Sequence, residues 1–71
     1  MKKYIVVKHN LLRKQKFYKR HKTADSWSVD KKQAYKYRFY WTAAKIVLAK
    51  TADLADCFNG IIKYEVETVA D

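Results

Sequence analysis

The chain has 71 residues, no proline, one glycine and one cysteine, and a formal net charge of +9. So short a chain has room for one small core, and a lone Cys57 with His9 and His21 allows neither an intramolecular disulfide nor a zinc-ligand spacing. No apolar run approaches the roughly 20 residues of a membrane helix, and residues 4–7, ended by Lys8, fall short of the roughly 7–15 apolar residues of a secretory core.

These features predict one soluble, cytoplasmic α+β domain over residues 1–71, with Met1 leading directly into strand sequence as in a complete small protein. The free thiol fits a reducing compartment, and Cys57 reads as a small buried apolar residue. Residues 3–9 are rich in β-branched side chains, which mark a strand. Residues 10–14 turn the chain, without the Asn-Gly pair of a tight hairpin. Residues 15–22 form a second strand. Alternation there points Phe17 inward and displays Lys16, Tyr18, Arg20 and Lys22 together on the outer face. Residues 23–28 are a polar connection holding Trp27, which either lids the core beside Ala34 or stays exposed as a binding anchor. Residues 30–34 make one helical turn.

Residues 35–41, YKYRFYW, set Tyr35, Tyr37, Phe39 and Trp41 against Lys36, Arg38 and Tyr40. Alternation with dense aromatics predicts a third strand. The rival is one helix over residues 30–58, since nothing between them breaks a helix. Thr42 is an N-cap candidate for the helix former AAKIVLAK, residues 43–50, with Ala44, Val47, Leu48 and Thr51 on one face. Asp53 and Asp56 oppose the negative end of that helix, so it stops near Thr51, or Thr51 caps a second short turn. Asn59-Gly60 signals a turn, and residues 61–69 alternate Ile62, Tyr64 and Val66 with Lys63, Glu65 and Glu67 as a final strand. Tyr37, Phe39, Trp41, Phe58 and Tyr64 are the aromatic core. The expected fold is a small antiparallel sheet of about four strands, in the order ββ-β-α-β, with one main helix on one face.

The charge is uneven: residues 1–24 carry nine basic residues and no acid, whereas residues 53–71 carry one basic residue and five acids. Such a field favours polyanionic partners. Lys14, Lys16, Lys19, Arg20, Lys22, Lys36 and Arg38 are the candidate phosphate contacts, and Tyr18 and Tyr40 the candidate stacking residues, of a basic sheet face that meets nucleic acid. The same face fits an acidic protein surface, as an inhibitor of a host enzyme would require. Catalytic signals are sparse. Gly60 stands alone, so no phosphate-cradling loop exists. Glu65 and Glu67 read as a solvated strand face. His21 within the basic run leaves a small RNase-type toxin as a further alternative. No cofactor or metal is implied, and an exposed edge strand offers pairing with a second copy.

Trp27-Ser28, Asp30, Ala34, Phe39, Thr42, Ala44 and Leu48-Ala49 together resemble a pattern in small phage and prophage proteins. There a hairpin precedes Trp-Ser/Thr-x-Asp, an aromatic strand end, a Ser/Thr cap and an Ala-rich helix. The resemblance spans about a third of the chain. It implies a sheet-plus-helix fold and a phage or mobile-element accessory role, without an activity. The order of three strands then a helix also resembles the arm-type DNA-binding domain of some phage integrases, whose sheet reads the major groove. A fourth, acidic strand departs from that pattern.

Overall fold

The computed structural model describes residues 2–52 and 60–70. The readings made for Asp53, Asp56, Cys57, Phe58 and Asn59 lie outside the described residues. Four strands, β1 (Lys2–Asn10), β2 (Gln15–Lys19), β3 (Trp27–Ser28) and β4 (Ile62–Ala70), form one antiparallel sheet in the order β3-β2-β1-β4. A 3₁₀ turn at Lys31–Gln33 and one helix, α1 (Tyr40–Ala52), complete the small α+β fold. No helix among the described residues is long and apolar enough to cross a membrane.

β1 is the central strand, and its apolar run is covered from both sides. Ile5, Val6 and Val7 are each at most 1% exposed. Val6 meets Tyr37 and Ala43 on the α1 side, with Tyr4, Ile46, Val47 and Val66 around them. Ile5 and Val7 point the other way, against Tyr18 and Ala34. Each buried aliphatic of this kind contributes about 1.5–3 kcal/mol. The β1–β2 turn closes with the Arg13 backbone N–H donating to Asn10 Oδ1 at 3.1 Å. Lys14 takes the left-handed conformation, φ 54°, that a glycine usually supplies.

The third strand is not where the alternation of residues 35–41 places it. Residues 27–28 pair with β2, whereas residues 35–37 fill a notch between β1 and the departing β2. The Tyr35 N–H donates to Lys19 O at 2.8 Å, and Tyr37 exchanges both backbone hydrogen bonds with Tyr4 at 2.6 and 2.9 Å. Through this notch the chain passes from the 3₁₀ turn on one face of the sheet to α1 on the other. One isolated bridge at Tyr37 replaces a strand. The rival long helix fails too, because Ala34 is extended, with φ −64° and ψ 134°. α1 then begins at Tyr40, two residues before the expected cap, so Thr42 lies inside its first turn.

The helix face is turned by about one residue from the expected stripe. Ala43 is the buried position and Leu48 is 72% exposed. Phe39 and Trp41, expected in the core, are 52% and 66% exposed, while Tyr37 and Tyr64 are buried as expected. Trp27 does pack on the core, but against the Val6 cluster and 5.8 Å from Tyr64, on the face away from Ala34. β4 keeps its predicted alternation. Its acids meet the basic elements: Glu65 accepts from His9 Nε2 at 2.6 Å, and Glu67 pairs with Lys31 Nζ at 2.5 Å.

Candidate nucleic-acid interface

The expected row on β2 does not form. Tyr18 is 9% exposed and sits in the Ile5–Val7–Ala34 cluster, so it offers no ring for stacking. The reason is the second layer of cover: the 3₁₀ turn and Ala34 occupy the sheet face that the alternation left to solvent. Lys19 is 3% exposed and is also withdrawn from the surface. Its ammonium donates to His21 O at 2.5 Å and Ala24 O at 3.0 Å. Burial lowers the Lys19 pKa below the ordinary lysine value, with Asp25 opposing and Lys50 adding to the shift. β2 ends there, so Arg20 and Lys22 belong to the following loop and not to a strand face.

The remaining candidates are exposed but divided. Lys14 and Lys16 lie at the turn end of the β1–β2 hairpin, with Lys16 opposite His9. Arg38 and Tyr40 follow Tyr37, which bridges Tyr4 near the other end of β1. Tyr4 and His9 are five residues apart on one strand, about 17 Å. Lys36 faces the cleft beside the 3₁₀ turn, with Lys31 and Lys32. No single sheet face collects them.

A different surface gathers around the start of α1. Phe39 and Trp41 stack with their ring centroids 6.1 Å apart and an interplanar angle of 23°. The Arg38 guanidinium sits over Phe39 at 5.5 Å, and Tyr40 meets Tyr4 edge-on at 5.6 Å. No acid lies in the first helical turn, so the positive end of the helix dipole is uncompensated there by any side chain of that turn. One turn further on, Lys45 is exposed beside Trp41. On the far side of Lys45 a groove of about 380 Å³ opens between the 20–26 loop and α1, lined by Lys22, Thr42, Lys45 and Lys50 among others.

The loop holds its place through its own carbonyls. The buried Tyr37 hydroxyl donates to Lys22 O at 2.9 Å and reaches His21 O at 3.4 Å. Lys19 holds His21 and Ala24 from beneath. Asp25 accepts from Trp27 Nε1 at 2.7 Å and pairs with Lys50 Nζ at 3.0 Å. Lys22 and Lys45 have no carboxylate partner among the described residues.

The hydrogen bond from Lys50, then that from Trp27, hold the Asp25 carboxyl below its ordinary pKa. Its stabilising effect is therefore complete above the ordinary carboxylate value and is lost as pH falls through the lowered one. Urea unfolding followed from pH 6 down to pH 2 is expected to show wild type more stable than Asp25→Asn at the upper end. The gap should close at the acid end. A gap that stays constant with pH would contradict this assignment.

Sequence reasoning missed Phe39 and Trp41 as surface residues, and it missed Lys45 and Lys50 altogether. Their signal was present in part: Trp41, Lys45 and Leu48 share a helix face once the helix is extended back to Tyr40. The groove depends on the 20–26 loop, whose path no local pattern encodes. Comparison with known protein families, with curated proteins and with solved structures returns no match to this chain.

Proposed function

We propose that this domain is a small basic, non-enzymatic module that binds single-stranded nucleic acid at the start of α1, and that it serves a phage or mobile element as an accessory protein. The observation that carries the reading is the exposed, stacked Phe39–Trp41 pair, with Lys45 one turn further along α1 and Lys22 across the groove from it, neither with a carboxylate partner among the described residues. Large aromatics left in water add little to the stability of a domain with so small a core, and stacking on bases gives them a use. Arg38, Lys22 and Lys45 supply phosphate contacts on either side. The resemblance of residues 27–50 to small phage and prophage proteins supports the accessory role.

Engaging about three phosphates gives an expected log–log salt slope of roughly −2 on a single strand. Anisotropy of labelled single-stranded oligonucleotides at several salt concentrations measures it. Trp41→Ala is expected to weaken binding about tenfold, since stacking contributes about 1–3 kcal/mol per base. Its stability should change little, because the side chain is 66% exposed. Salt-independent binding, or no binding near physiological salt, would overturn the reading.

A second reading, an inhibitor that docks on a host protein, is favoured by the apolar helix ridge of Trp41 and Leu48, 66% and 72% exposed. Capture from a nuclease-treated host lysate separates the two. A stoichiometric protein that survives nuclease and is lost with Leu48→Glu favours the inhibitor.

A further inference from the structure

We propose that the groove between the 20–26 loop and α1 is a site for the terminal phosphomonoester of a nucleic-acid strand. The proposal rests on the single-strand reading above and adds an end preference to it. Among the described residues the groove is lined by the cations Lys22, Lys45 and Lys50, with the buried Lys19 beneath them, against the carboxylate of Asp25. A phosphomonoester is close to dianionic at neutral pH, whereas an internal phosphodiester carries one charge. The net charge of +2 on Lys22, Lys45, Lys50 and Asp25 matches the former better.

The positions fit one strand lying across both features. Trp41 and Lys45 are four residues apart on α1, about 6 Å along the axis, so a base on Trp41 leaves its neighbouring phosphate beside Lys45. Thr42 and Lys22 stand on the opposite wall of the groove from one another, the first on α1 and the second on the loop. The loop wall is fixed, because Tyr37 and Lys19 bind its carbonyls from within. Asp25 occupies the groove as an internal anion on Lys50. An incoming phosphate competes with it for that ammonium, so Asp25 sets the threshold for binding.

The test compares three oligonucleotides of one sequence, internally labelled: one with a 5′-phosphate, one with a 3′-phosphate and one with hydroxyls at both ends. A terminal phosphate is expected to tighten binding about fivefold. The two phosphorylated forms report which end the groove takes, and equal gains from both would support a phosphomonoester site without polarity. Lys50→Ala is expected to abolish the gain while leaving the unphosphorylated strand within about twofold. Asp25→Asn is expected to enlarge the gain. Equal binding of all three oligonucleotides overturns this proposal and leaves the single-strand reading standing. So does a gain that persists in Lys50→Ala, which would mark a general charge effect. Failure of every oligonucleotide to bind overturns both.

Discussion

Tyr37→Ala is expected to leave the domain largely unfolded at 37 °C, whereas Tyr37→Phe should fold and lose only about 1 kcal/mol. Tyr37 is 2% exposed and is the largest fully buried side chain among the described residues. It packs on Val6 and Ala43 and against Tyr35, with ring centroids 4.7 Å apart. Truncating a buried aromatic costs about 3–5 kcal/mol. A small domain has a total stability of only about 5 kcal/mol or somewhat more, so the loss consumes most of it. Each kcal/mol is worth about 4–8 °C of melting temperature at this size. The phenylalanine variant keeps the ring and removes the donor to Lys22 O and His21 O, a net effect of about 0.5–1.5 kcal/mol.

The same pair of variants has a pH signature. Burial, and then Tyr35, push the Tyr37 pKa above its ordinary value of 10.0. Its contribution is full below pH 10 and is lost as pH rises through the raised value, because the unfolded chain ionises first. Wild type should therefore lose stability at alkaline pH by an increment that Tyr37→Phe lacks. Thermal melts from pH 8 to 11 measure it, and parallel curves for the two proteins would contradict the role given to the hydroxyl.

The elements that were legible in the sequence are those whose pattern is local. β1 and β4 announce themselves by β-branched and alternating residues, and α1 by its Ala-rich run. The misread segment, residues 35–41, shows why the rest was hidden. Its alternation is real, but a strand also needs a free ladder partner along its length. β1 is already taken by β2 at Val7 to Asn10, and beyond that stretch the segment meets β1 at Tyr4 alone. Tertiary pairing thus limits the segment to one bridge, and the helix-forming run captures Tyr40 and Trp41. Tyr18 and Lys19 were misplaced for a related reason. Alternation assigns two faces to β2, but it does not say that both are covered. The 3₁₀ turn closes one, and the Lys19 ammonium is drawn under its own loop. The candidate interface moved from strand to helix because the basic residues that looked contiguous in sequence are distributed to two ends of β1.

Lys19→Ala is expected to destabilise the domain by about 3 kcal/mol, and Lys19→Met by no more than about 1 kcal/mol. The two substitutions separate the stem from the charge. Lys19 lies opposite Trp27 in the β2–β3 pair and is 3% exposed, so its methylenes belong to the packed layer. Alanine leaves a cavity there, at a cost of about 2–5 kcal/mol for long apolar groups. Methionine refills it and removes the ammonium. Two hydrogen bonds to a charged donor are then lost, each worth about 1.5–3 kcal/mol, but the desolvation of a buried charge is relieved as well. His21 and Ala24 are exposed residues, so water can replace the donor to their carbonyls. The near cancellation at pH 7 should break at higher pH. Because burial lowers the Lys19 pKa, its unfavourable charging on folding fades as pH climbs toward the ordinary value of 10.5, and stability rises. That rise should be present with Lys19 and absent with methionine, both measured in the Tyr37→Phe background so that the phenol does not titrate. Amide exchange of residues 20–26 gives the structural counterpart. If the ammonium organises the loop, exchange there accelerates in Lys19→Met although global stability hardly changes. If exchange in the loop is unaltered, the loop is held by Tyr37 and its backbone alone, and Lys19 acts only through its stem.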